Sequence, residues 1–116
     1  MQIQQRMVGN VAIIDLTGRL MLGDGDELLR DKVKGLIQQG QKRLVLNLTD
    51  VPYMDSTGLG EVVRTYTTAL KQGGDLKLLR PTKHVRDLLV ITKLSTILGV
   101  FESEEDAVRS FPPSAG

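Results

Sequence analysis

The chain has 116 residues, 41% of them hydrophobic and 25% charged, the composition of one globular domain with a packed core. Fifteen Lys and Arg oppose 14 Asp and Glu, and aromatic residues make up only 3%. Neither a field that attracts polyanions nor a base-stacking platform is present, so nucleic acid is not an expected partner, and the absence of Cys removes disulfides, thiolate metal sites and a cysteine nucleophile.

The opening "MQIQQRMVGNVAIIDLTGRL" lacks a basic segment followed by an apolar core, and no apolar run reaches membrane-spanning length. Cytoplasmic residence without membrane insertion is the expectation. The same stretch reads as two strands around a "GN" turn. In "DGDELLRDKVKGLIQQGQ", Leu28, Leu29, Val33, Leu36 and Ile37 recur at helical spacing, with Asp24 and Glu27 in capping-box register and Gly40 as a stop. "KRLVLNLTD" is a short, nearly continuous apolar run, the pattern of a central strand covered on both faces.

A second helix is predicted from Leu59, Val62, Val63, Tyr66, Ala69 and Leu70, ending at Gly73 and Gly74. "DLKLL" gives a strand before Pro81, then Val85, Leu88, Leu89 and Thr92 give a shorter helix. "ILGVF" is a last brief strand, and "SEEDAVRS" a small helix with Ser103 as N-cap. Strands that alternate with helices imply crossovers, so the fold class is α/β: a mostly parallel sheet with an antiparallel N-terminal edge strand and about four flanking helices. A single domain over residues 1–111 and a frayed tail over 112–116, containing "PPSAG", complete the organisation.

In such sheets function gathers where strand carboxyl ends meet helix amino ends. The stretch "VPYMDSTGLGEVV" is one such corner. Ser56 is placed to cap the second helix, and Gly58 and Gly60 let the chain turn tightly and approach its neighbours. Val51, Pro52, Tyr53 and Met54 lead into Asp55 as an apolar patch on a connecting segment, where the surface is the usual location. An exposed apolar corner with a hydroxyl at its centre suggests docking.

From "LVLNLTDVPYMDSTGLGEVV" through "GGDLKLL", the chain resembles the STAS domain family, and within it the bacterial anti-sigma factor antagonists, whose hallmark is a D-S-(S/T/A)-G-L-G element. "IDLTGRL" and "KHVRDLLVITKLSTILGVFES" resemble the family's early strand and closing segment, so the likeness spans nearly the whole chain. The resemblance implies a protein-binding switch without a cofactor. The partner would be an anti-sigma factor or serine protein kinase, and binding would free a sigma factor. Phosphorylation of the motif serine, Ser56 here, would break the complex, and a serine phosphatase would restore it. The implied contact surface comprises Tyr53, Met54, Asp55, Ser56, Thr57, Gly58 and Leu59. Met21, Leu22 and Asp24 join it from the preceding turn, and a homodimer is one assembly left open.

One departure concerns that turn. Family members commonly carry an Asp soon after the early G-x-L, where "GRLMLGDGDE" has Met21, with Asp24 slightly later. Asp24 either substitutes or caps the first helix, and its register with Glu27 favours the cap. Met21 and Leu22 would enlarge the apolar contact surface.

Other constellations are weaker. "GDGDE" lacks the spacing of a calcium loop, and no Walker-type phosphate loop occurs. Ser56, Asp75 and His84 follow the chain order of a hydrolase triad, yet Met54 stands where the nucleophile elbow requires Gly. A receiver-type site needs an acidic pair that Asp15 alone does not supply. Arg80, Lys83 and Arg86 form a loose basic cluster that could meet an acidic partner, whereas Lys32, Lys34, Lys42 and Arg43 read as solvated ends. A second reading within the same family is a scaffold or regulatory subunit of a signalling assembly or transporter, without phosphorylation.

Overall fold

The computed structural model describes residues 1–112. The tail expected over 112–116 therefore lies, but for Pro112, outside the described residues. Five strands form one sheet in sequence order: β1 (Gln2–Val8), β2 (Val11–Thr17), β3 (Arg43–Asp50), β4 (Asp75–Leu79) and β5 (Gly99–Phe101). β1 pairs antiparallel with β2 in a register running from Gln2 opposite Thr17 to Val8 opposite Val11, and every later pair is parallel. The turn needs a left-handed residue, and Gly9 supplies it at φ +59°. The helices are α1 (Asp26–Gln38), α2 (Ser56–Lys71), α3 (Lys83–Ile91) and α4 (Glu104–Arg109), with a 3-10 turn at Leu94–Thr96 that the sequence pattern does not announce.

Alternation along β3 shows how the two faces are filled. Leu44, Leu46 and Leu48 point into a large core shared with Leu29 and Val33 of α1, Val62 and Ala69 of α2, and Val85 and Leu89 of α3. Val45 points the other way, into a smaller core with Ala107 and Phe111. Burying each of the Val, Leu and Phe side chains among them contributes about 1.5–3 kcal/mol. Because α4 has only six residues, the second face is covered over part of its length. Beyond that cover β3 turns polar: Asn47 donates to Asp15 at 2.8 Å, and Thr49 donates to Asn47 at 2.6 Å.

Helix boundaries agree with the spacing, but two of the expected caps, Asp24 on α1 and Ser56 on α2, do not hold. Ser103 caps α4 as predicted, accepting from the Asp106 N–H at 3.2 Å. Asp24 does not cap α1. The residue before that helix is Gly25, left-handed at φ +97°, with no side-chain cap bond. Reciprocal 2.9 Å backbone bonds between Met21 and Asp24 close a tight turn that carries the Asp24 side chain away from the helix. Its carboxylate meets the Met1 amine at 3.1 Å and Arg19 at 3.8 Å. Leu28, assigned to the apolar stripe of α1, lies on its exposed side.

A candidate docking corner beside Ser56

All parallel strands end on the same edge of the sheet, and there the chain leaving β2 continues alongside the chain leaving β3. Gly18 N–H donates to the Asp50 carbonyl and Leu20 N–H to the Tyr53 carbonyl, each at 3.0 Å, and Asp55 N–H donates back to Leu20 at 3.3 Å. Leu20 and Met54 pair as an isolated parallel bridge, with both side chains buried. The apolar corner expected from the sequence is thus divided. Val51 and Met54 are core residues that anchor it, while Pro52 and Tyr53 reach the surface.

Asp55, not Ser56, is the N-cap of α2. Its backbone is extended (φ −96°, ψ −177°), and one carboxylate oxygen accepts from the Gly58 N–H at 2.7 Å. The other accepts from the Leu22 N–H at 3.1 Å, so one side chain ties the helix start to the β2–α1 loop. The bond from Gly58, followed by that from Leu22, holds the Asp55 carboxyl below the usual carboxylate range. Ser56 becomes the first helical residue, exposed, with its hydroxyl left out of the cap.

Around that hydroxyl the predicted residues take unequal places. Leu22 is 70% exposed and Tyr53 40%, whereas Met21, Asp24, Asp55 and Thr57 are half-buried. Met54, Gly58 and Leu59 are buried and support the corner from beneath rather than lining its surface. Gly58 is needed for contact, because the Leu20 carbonyl lies where a β-carbon would be. The start of α3 is fastened to the same loop: Thr82 donates to the Val51 carbonyl at 2.9 Å, His84 Nε2 lies 3.3 Å from the Met54 carbonyl, and the His84 ring stacks on Tyr53 with centroids 4.9 Å apart.

The hydrolase constellation does not assemble. Asp75 opens β4 opposite Arg43, at the amino edge of the parallel strands, and pairs with Lys77 at 3.1 Å. Ser56 sits at the other edge. The basic cluster is largely neutralised, Lys83 by Asp87 at 2.8 Å and Arg86 by Glu102, which leaves Arg80 without an ion pair among the described residues. Sequence reasoning missed Asp55 as the cap and Leu20 as the backbone strut. An Asp three residues ahead of a Gly at a helix start was the available signal for the first.

The model of the STAS domain family matches residues 2–107. An anti-sigma-B factor antagonist of Bacillus subtilis is 42% identical over 82 residues, 71% of this chain and 74% of the relative. Among solved structures, an anti-sigma factor antagonist of Thermotoga maritima described as putative superposes with a TM-score of 0.87 at 22% identity, covering 94% and 93% of the two chains. The antagonist SpoIIAA matches in its unphosphorylated form (TM-score 0.70, 25% identity, 93% and 96% covered) and, from Bacillus, in its phosphorylated form (TM-score 0.73, 26% identity, 93% and 97% covered). These names describe regulatory antagonists, a binding role rather than an enzymatic one. With a five-stranded sheet of the same class and a family match over nearly its full length, the chain belongs to the STAS domain family.

Proposed function

We propose that this protein is an anti-sigma factor antagonist whose corner around Ser56 docks an anti-sigma factor, and that phosphorylation of Ser56 dissociates the pair. The observation that carries the reading is the exposed Ser56 hydroxyl, free of the cap because Asp55 occupies the Gly58 N–H. A kinase partner would transfer a terminal phosphoryl group from a nucleoside triphosphate to Ser56 Oγ, with loss of the hydroxyl proton and release of the diphosphate. A serine phosphatase would return the hydroxyl by hydrolysis. Cytoplasmic residence belongs to the same proposal, and no helix among the described residues is long and apolar enough to cross a membrane.

The physics separates stability from binding. A phosphate brings about −1.5 to −2 charges, which a helix amino end accommodates through its dipole and free N–H groups. That SpoIIAA matches this fold in both its forms supports an unchanged host. A partner surface closed over the corner would instead have to desolvate a dianion next to Asp55, and like-charge placement of this kind costs several kcal/mol. Since each 1.4 kcal/mol is about tenfold in affinity, roughly 100-fold weakening is a modest expectation.

The test titrates the purified chain against the Bacillus subtilis anti-sigma-B factor and the anti-sigma factors of its own genome. Ser56→Ala is expected within about threefold of wild type, and Ser56→Glu at least about 100-fold weaker with an unchanged far-UV spectrum. Binding of Ser56→Glu at wild-type strength, or no binding by wild type at all, would overturn the assignment.

A further inference from the structure

The most exposed large apolar side chains among the described residues are Ile91 (78%), Leu22 (70%), Ile97 (60%) and Val90 (57%). The Leu22 N–H donates to the carboxylate of Asp55, the residue just before Ser56. Val90 and Ile91 stand at the far end of α3, and Ile97 follows the 3-10 turn after it. Their own fold does not need them: α3 is held by buried Val85 and Leu89, with Leu88 and Leu94 packed alongside.

α3 begins at the corner, where His84 lies against Tyr53 and the Met54 carbonyl. Seven residues on, Ile91 falls on the same flank of the helix, two turns and roughly 10 Å along its axis. Leu22, Tyr53, His84 and Ile91 therefore mark a strip, and Val90, about 100° round the helix from Ile91, borders it on the solvent side. A stable protein interface covers about 800 Å² on each side, equivalent to a disc of about 16 Å radius. The side chains exposed at the corner itself, chiefly Leu22, Pro52, Tyr53 and Ser56, are too few to fill that area. A footprint of standard size over Ser56 extends onto α3.

We propose that the protein partner that docks over Ser56 also covers this strip, seating Val90 and Ile91 in an apolar surface of its own. The inference rests on the docking role of the corner and adds a division of labour. The apolar strip supplies affinity through a few desolvated anchors, and Ser56 supplies the switch.

The experiment titrates the anti-sigma factor that wild type binds against Val90→Asp, Ile91→Asp, Ser56→Glu and Met7→Ser, with thermal unfolding of each variant. Met7 is an exposed apolar residue of β1 outside the strip. Losses of at least about tenfold for Val90→Asp and Ile91→Asp, with near-wild-type unfolding temperatures and an unaffected Met7→Ser, support the strip. Wild-type affinity in both α3 variants while Ser56→Glu still fails to bind overturns this inference and leaves the corner standing. Unimpaired binding by Ser56→Glu overturns both. A free chain that is dimeric, becomes monomeric on Ile91→Asp and keeps its partner affinity assigns the strip to a second copy, against the proposal.

Discussion

A β-carbon built on Gly58 falls 2.0 Å from the Leu20 carbonyl oxygen and 2.7 Å from its carbonyl carbon. Those atoms belong to backbone that is itself hydrogen-bonded to Asp55, so the contact cannot be relieved by rotating a side chain. Gly58→Ala is expected to destabilise by about 2–3 kcal/mol in chemical denaturation, because the β2–α1 loop must lift off α2. Gly60 meets nothing within 4 Å, and Gly60→Ala should be neutral or stabilise by up to about 1 kcal/mol, since it removes a glycine from a helix interior. In the sequence the two glycines look alike. What separates them is a carbonyl contributed from 38 positions earlier, which no local pattern reports. The same limit applies to the cap: Asp55 and Ser56 are both good N-cap residues, and only the point where the backbone becomes helical decides between them.

Between elements, α1 and α2 are joined by a charge pair that spacing does not reveal. Glu61 is 3% exposed, yet it faces Arg30, whose Nε and Nη2 each donate at 3.2 Å. Removing Arg30 leaves a carboxylate enclosed between two helices without its counter-ion, and an unpaired buried charge is more damaging than the loss of an intact pair. Arg30→Ala is therefore expected to lower the unfolding temperature more than the double variant Arg30→Ala with Glu61→Gln, the second change recovering part of the loss. Equal temperatures for the two would show that Glu61 is neutralised in another way. Most elements were legible because their apolar periods are clean: alternation in β3 and helical spacing in α2 each specify one answer. Asp24 misled because a capping box is defined by spacing alone, and the Met21–Asp24 turn consumed that residue first.

Across the whole molecule, Arg6 connects regions that are remote in the chain. Its guanidinium donates to Asp15 on β2 at 2.6 and 3.1 Å and to Glu104 at the start of α4 at 2.6 and 3.3 Å, thereby joining the N-terminal hairpin to the last helix. The Arg6 hydrogen bond is the main reason the Asp15 carboxyl is held below its ordinary value, with Asn47 assisting and partial burial opposing. A carboxyl with a lower pKa in the folded than in the unfolded chain adds stability that is present above the unfolded value, about 3.9 for Asp. That stability fades as pH falls through the folded value. Wild type should accordingly exceed Asp15→Asn in stability most clearly above about pH 5, and the gap should close toward pH 2. Because Arg6 is 44% exposed, salt should narrow the gap at neutral pH as well. Denaturation midpoints of both proteins across that pH range, at low and high ionic strength, measure it. A gap that stays constant with pH would mean that Asp15 acts there through hydrogen-bond geometry alone, not through its charge.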